Sequence, residues 1–90
     1  MTRSSEVTII NKLGLHARAA AKFVTLASRF TSEIRVQRGI KEVNGKSIMG
    51  IMMLAASQGT RLCLIASGSD EEKALQQLET LINQRFGEHE

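Results

Sequence analysis

Asn11-Lys12-Leu13-Gly14-Leu15-His16-Ala17-Arg18-Ala19-Ala20-Ala21-Lys22 joins two different periodicities. Upstream, Val7-Thr8-Ile9-Ile10 is short and β-branched and gives way to turn residues, so residues 7–10 are read as a strand. From Ala17 the chain turns alanine-rich. Ala20, Phe23, Val24 and Ala27 recur at i, i+3, i+4 and i+7, the buried face of a helix over residues 17–29. Arg18, Lys22, Thr25 and Arg29 form the opposite, wet stripe. Gly14 lets the backbone turn sharply between strand and helix.

That junction also carries chemistry. His16, one of two histidines, falls at or beside the N-cap, next to the unpaired first-turn amides of Ala17, Arg18 and Ala19. The positive end of a helix disfavours added positive charge on the ring and favours an anion. A neutral imidazole is a nucleophile, and a phosphoryl group on it would lie against those amides. Arg18 can add a guanidinium to phosphate oxygens. From these residues alone, a surface histidine that caps a helix explains the pattern equally well.

Outward from the junction, Glu33-Ile34-Arg35-Val36-Gln37-Arg38 alternates as a half-buried strand. Gly39 punctuates it, and residues 40–43 read as the second arm of a hairpin. The turn dipeptide Asn44-Gly45 follows, and Ser47 is placed to cap a short helix from Ile48 to about Ala55. Residues 60–66 make a strong strand, apolar on both faces from Leu62 onward, which points to a central position. Ser69-x-x-Glu72 has the form of a capping box for the last helix. Its buried stripe is Ala74, Leu75, Leu78, Leu81, Ile82 and Phe86, and Gly87 ends it. The order is βαββαβα over one domain, residues 1–90. The fold expected is α+β: a four-stranded antiparallel sheet with three helices on one face.

Composition narrows the function classes. Residues 1–65 carry ten Lys and Arg against three acids, net +7, whereas residues 66–90 carry two against six, net −4. An acidic or phosphorylated partner suits the basic part. Nucleic acid is a weaker reading: the three aromatics are all Phe, and the basic residues form no arginine-rich run. No apolar run is long enough to span a membrane, and the first residues lack the apolar stretch of a signal peptide. The single cysteine, Cys63, cannot form an internal disulfide, which fits a reducing cytoplasm; in its apolar strand it is expected to be core. Two distant histidines and one cysteine offer no metal-ligand spacing, so neither metal nor cofactor is expected. His89 is expected in a frayed tail without a partner.

Two motifs now stand in order: Gly14-Leu15-His16-Ala17-Arg18 opening the first helix, and Asn44-Gly45-Lys46-Ser47-Ile48-Met49-Gly50-Ile51 opening the second. Together they resemble the HPr family of bacterial phosphotransferase systems, over nearly the whole chain. Residues 11–24, with residues 46–54, look more like its nitrogen-related branch, NPr, than its sugar-transport branch. The resemblance implies an open-faced β-sandwich and a phosphocarrier rather than an enzyme with its own turnover. In that family the motif histidine, here His16, takes a phosphoryl group on Nδ1 from phosphorylated enzyme I, which draws it from phosphoenolpyruvate. It then passes the group to an enzyme IIA protein. The motif arginine, here Arg18, steadies the group. The motif serine, here Ser47, is in some members a regulatory mark written by a serine kinase. Where the family usually has proline after the arginine, this chain has Ala19; alanine is a strong helix former, so the first turn is expected to form.

The second helix raises a further expectation. Ile48, Ile51, Met52 and Ala55 would make one buried face, leaving Met49 and Met53 to point elsewhere, and no charged residue lies between Ser47 and Arg61. Methionine repacks readily against different partners. A docking patch of Ile48, Met49, Met52 and Met53, flanked by Lys12, Lys22 and Lys46, is therefore expected beside His16. A regulatory module that docks on targets according to the phosphorylation of His16 or Ser47 is the alternative to a carrier.

Overall fold

Alternating burial along the strands, with the polar positions facing away, produces a sheet covered on one side only. The computed structural model describes residues 2–90. In chain order the elements are β1 (Thr2–Thr8), α1 (Ala17–Ala27), β2 (Glu33–Arg38), β3 (Lys41–Asn44), α2 (Ile48–Met53), β4 (Arg61–Ser67) and α3 (Glu71–Asn83), followed by a short 3-10 turn at Arg85–Gly87. The sheet order is β1-β4-β2-β3, antiparallel throughout. Thr2 pairs with Ser67 and Thr8 with Arg61; Ile34 pairs with Ala66 and Val36 with Leu64. Val7, Ile34, Val36, Leu62, Leu64 and Ala66 point into a core shared with Ala20, Phe23, Ala27, Leu78, Ile82 and Phe86. Fully burying one of the Val, Leu, Ile or Phe side chains among them stabilises the fold by about 1.5–3 kcal/mol. The βαββαβα order, the central place of β4 and the three helices on one face all agree with the sequence reading.

Several particulars differ. β1 starts at Thr2 rather than Val7, because its polar residues form an edge strand whose ladder with β4 does not require apolar side chains. Ile9 lies beyond the ladder yet is buried, held by its amide to the Thr60 carbonyl at 2.9 Å. α1 stops at Ala27, and its last amides tighten to i→i−3 bonds. Ile40 sits fully exposed in the β2–β3 turn instead of in a strand.

Cys63 is half-buried, not core: it alternates with Leu62 and Leu64 and lies on the open face of β4, opposite Glu6 and Gln37. A central strand in a one-sided sheet needs only every second residue covered.

The buried line of α2 is also corrected. Ile51, Leu54 and Ala56 go inside, whereas Ile48 and Met52 are 45% and 43% exposed and Ala55 is exposed. The helix is shorter than expected, and Ala55 leaves it in the left-handed region at φ 50°. Its free carbonyls are taken by basic side chains. Arg38 donates to Leu54 O and Ala55 O, and Lys41 donates to Met53 O.

The expected capping box of α3 does not form. Asp70, not Ser69, precedes the helix, and its carboxylate crosses to the α1–β2 loop. There it accepts the amides of Thr31 at 2.9 Å and Ser32 at 3.0 Å, together with the Ser32 hydroxyl. The Ser32 hydroxyl first, and the Thr31 amide next, hold the Asp70 pKa down at about 2. Glu71 rather than Glu72 turns back, accepting the Gly68 amide at 3.0 Å.

Candidate functional site

Asn11 and Gly14 build the turn that presents His16. The Gly14 amide donates to Asn11 O at 3.2 Å, and the buried Asn11 side chain returns Nδ2 to Gly14 O at 2.8 Å. Gly14 has φ +68°, and a Cβ there would lie 2.5 Å from Ala56 O and 2.8 Å from Ser57 Cα. Only glycine fits so close to that backbone. Leu15 N then donates to Ala56 O at 2.8 Å, pinning the turn to the segment after α2.

His16 is the N-cap of α1, extended at φ −71°, ψ 176°. Its carbonyl accepts the Ala20 amide at 2.8 Å, whereas its side chain makes no capping bond. The first-turn amides therefore remain without intrahelical acceptors. The side chain is 29% exposed, and its Nδ1 makes no hydrogen bond among the described residues. Arg18, one turn position on, is exposed and makes no hydrogen bond or ion pair among the described residues.

The other edge of the ring is held by a segment expected to be frayed. After α3, Arg85 and Phe86 both take left-handed backbone, φ 56° and 54°, and swing the chain back toward α1. Phe86 is fully buried as the anchor of this turn. Lys22, expected on the wet stripe, is half-buried and donates Nζ to Phe86 O at 2.6 Å. Glu88 Oε2 then lies 2.5 Å from His16 Nε2, and Glu88 Oε1 accepts Asn11 Nδ2 at 3.0 Å. Glu90 is tied to Lys12 through a backbone bond of 2.6 Å and an ion pair of 3.6 Å. Desolvation acts to raise the Glu88 pKa. The hydrogen bonds from His16 and Asn11, with the charges of His16 and Arg18, outweigh it and hold the carboxyl below its ordinary range. Asn11 Oδ1 stays buried without a hydrogen-bond partner among the described residues.

Lys12, Leu13, His16, Arg18, Glu88, His89 and Glu90 line one open cleft of about 290 Å³. Among the residues expected from sequence, the structure gathers His16, Arg18 and Lys12 there; His89, expected without any role, lines the same wall. Ser47 and the α2 side chains are not in its lining. Ser47 caps α2 as expected, its Oγ accepting the Gly50 amide at 3.0 Å. Met49 and Met53 are exposed, at 73% and 57%, and Leu13 adds an exposed apolar side chain on the His16 turn. Lys46 turns its ammonium to Phe30 O at 2.7 Å, so its charge is partly engaged within the chain. Glu88 and Asn11 were not legible as site residues: seventy-two residues separate Glu88 from His16, and only the left-handed Arg85–Phe86 turn brings them together.

A family model described as "PTS HPr component phosphorylation site" matches residues 3–84. The chain belongs to the HPr family. It is 58% identical over 86 residues to the phosphocarrier protein HPr of Pseudomonas aeruginosa, covering 94% of this chain and 96% of that protein. The HPr-like protein Crh of Bacillus subtilis is 48% identical over 79 residues, 88% of this chain and 93% of its own length. Among solved structures, an HPr from Thermoanaerobacter tengcongensis superposes with a TM-score of 0.94 at 51% identity, over 98% of this chain and 99% of that one. The fold of this HPr-family chain is thus the HPr fold, as the two sequence motifs implied.

Proposed function

We propose that this chain is a histidine phosphocarrier of a phosphotransferase system. It accepts a phosphoryl group on Nδ1 of His16 from phosphorylated enzyme I, ultimately from phosphoenolpyruvate, and hands it to an enzyme IIA-type acceptor. The observation that carries the reading is His16 at the N-terminus of α1, part-exposed and lining the cleft together with Arg18, which has no ion pair among the described residues. The first-turn amides and the helix dipole favour the phosphoryl oxygens there, and Arg18 adds charge when the group moves between donor and acceptor. Ile48, Met49, Met52 and Met53 supply the apolar surface against which enzyme I and the acceptor dock, with Lys46 on its border. Ser47 is the regulatory position, where a serine kinase would place charge at the edge of that surface. We assign the chain to the nitrogen-related branch on residues 11–24 and 46–54 alone; the relatives named above carry the plain names HPr and Crh. A cytoplasmic location accords with the lone Cys63.

Incubation with enzyme I and phosphoenolpyruvate, followed by mass spectrometry in neutral and acidic solution, tests this. One phosphoryl group that is lost in acid is expected, because a phosphorus–nitrogen bond hydrolyses there while a serine ester persists. A His16→Ala protein labelled to the same extent would end the reading. The exposed apolar face of α2 favours one second reading, a module that regulates targets by docking. Pull-down of partners with and without phosphate on His16 separates the two.

A further inference from the structure

The C-terminal segment brings a carboxylate to the histidine from the far end of the chain, and three separate devices hold it there. Phe86 is buried beneath the turn, Lys22 closes on the Phe86 carbonyl at 2.6 Å, and Asn11 donates to Glu88 Oε1 at 3.0 Å. The side chain of Glu88 is 14% exposed, well out of bulk water. An ionised carboxylate only accepts hydrogen bonds, so the ring nitrogen 2.5 Å from Glu88 Oε2 must carry the proton. That nitrogen is Nε2. In the neutral ring the lone pair is therefore on Nδ1.

We propose that Glu88 is a positioning residue for phosphoryl transfer: it fixes the Nε2–H tautomer of His16, aims bare Nδ1 at the incoming group, and offsets the charge the ring gains. The proposal rests on the reading of His16 as acceptor. In the transfer the Nδ1 lone pair forms the bond to phosphorus. The bond from phosphorus to the donor breaks, and its electron pair stays on the donor. No proton leaves His16, so Nε2–H remains and the ring becomes cationic, facing the Glu88 carboxylate. In the onward step the phosphorus–nitrogen pair returns to Nδ1 and the ring is neutral again. A carboxylate behind an imidazole orients the ring and raises its basicity in the same way behind a metal-bound histidine. Asn11 does for Glu88 what Glu88 does for His16, since its amide fixes the carboxylate and is itself fixed by Gly14 O at 2.8 Å.

The test uses the full chain, Glu88→Ala and Glu88→Gln. Nitrogen-15 spectra of the unphosphorylated ring, recorded above the titration range of a free imidazole, report the tautomer. Transfer from enzyme I and phosphoenolpyruvate gives the maximal rate and the half-saturating carrier concentration. The unmodified chain is expected to hold the Nε2–H tautomer, and Glu88→Ala to populate both tautomers and lose about tenfold in maximal rate, by analogy with second partners of metal-bound histidines. Glu88→Gln keeps an acceptor oxygen without charge, so it should retain the tautomer and fall between the two in rate. Unchanged tautomer populations in Glu88→Ala overturn the proposal. So does a change confined to the half-saturating concentration, which would make the tail a docking element. A chain that receives no phosphoryl group removes the carrier reading, while the ring spectra still decide whether Glu88 sets the tautomer.

Discussion

Gly14→Ala should cost far more than a glycine-to-alanine change at an equally left-handed position elsewhere, and the difference measures how tightly the His16 turn is clamped. Gly14 has φ +68° and Gly39 has φ +60°, so the backbone penalty for a side chain is similar at both. That penalty is about 1–2 kcal/mol, offset by about 0.4–1 kcal/mol because alanine also restricts the unfolded chain. Around Gly39 nothing among the described residues lies within 4 Å of an added Cβ. Gly39→Ala should therefore destabilise by about 1 kcal/mol. At Gly14 the added Cβ meets Ala56 O at 2.5 Å and Ser57 Cα at 2.8 Å, both backbone atoms that no rotamer change can move. The turn must shift, which strains or breaks the 2.8 Å bond from Leu15 N to Ala56 O. Loss of that bond adds about 0.5–1.5 kcal/mol to the same backbone penalty of about 1 kcal/mol, for a total near 1.5–2.5 kcal/mol. In a domain of this size each kcal/mol moves the midpoint by about 4–8 °C, so Gly14→Ala should melt about 6–20 °C lower and Gly39→Ala about 4–8 °C lower. Thermal unfolding followed by circular dichroism measures both. The ring spectra of His16 should change only in Gly14→Ala, because Asn11 Nδ2 reaches both Gly14 O and Glu88 and would be displaced with the turn. Equal melting losses in the two variants would show that the close approach to Ala56 places no demand on residue 14.

Arg18→Ala should slow phosphoryl transfer by about ten- to a hundredfold while the melting midpoint moves by no more than about 2 °C, since the side chain is exposed and leaves no cavity; an unchanged rate in rapid-quench transfer assays would remove Arg18 from the reaction. Met49→Lys and Met53→Lys should raise the carrier concentration needed for half-maximal transfer with stability altered by less than about 0.5 kcal/mol, because both side chains face solvent; unfolding of both variants would mean that the patch is core. Asp70→Asn should melt below the unmodified chain at neutral pH, and the gap should close in acid. The folded pKa, about 2, lies below the ordinary aspartate value of 3.8, so the stabilisation is fully present above that ordinary value and is lost as the pH falls through about 2. Melting curves collected from neutral pH down to that range check it, and a gap that persists at the acid end would assign the effect to the shape of the side chain rather than its charge.

What could be read from the chain, and what could not, divides along one physical line. Ala20, Phe23 and Ala27, or Leu62, Leu64 and Ala66, announce their faces through local spacing, because each helix or strand must turn apolar side chains toward whatever covers it. Gly14 and His16 were legible for the same reason: a strand that stops and a helix that starts within a few residues need a tight turn, and the N-cap position follows. Cys63 was misread because the run from Leu62 to Ala66 is apolar on both faces, and apolar residues alone do not say which face the helices leave open. Asp70 and Glu88 were invisible for a deeper reason. Each is a polar residue whose partner lies far away in sequence: Asp70 on Thr31 and Ser32, Glu88 on His16 and Asn11. Polar pairing over such distances has no periodicity, since either carboxylate could equally have faced water. Nor does a local trace mark the second: in sequence Phe86 continues the buried spacing of the last helix, whereas in the structure Arg85 and Phe86 leave it in left-handed conformations that glycine usually takes. Burial of Phe86 supports that strained turn, and the turn delivers Glu88. The tail thus obeys the logic of the first turn of α1: a local backbone arrangement that costs energy persists because distant packing holds it, and its effect is to give the two nitrogens of one imidazole ring different surroundings, Nε2 against Glu88 and Nδ1 with no hydrogen bond among the described residues.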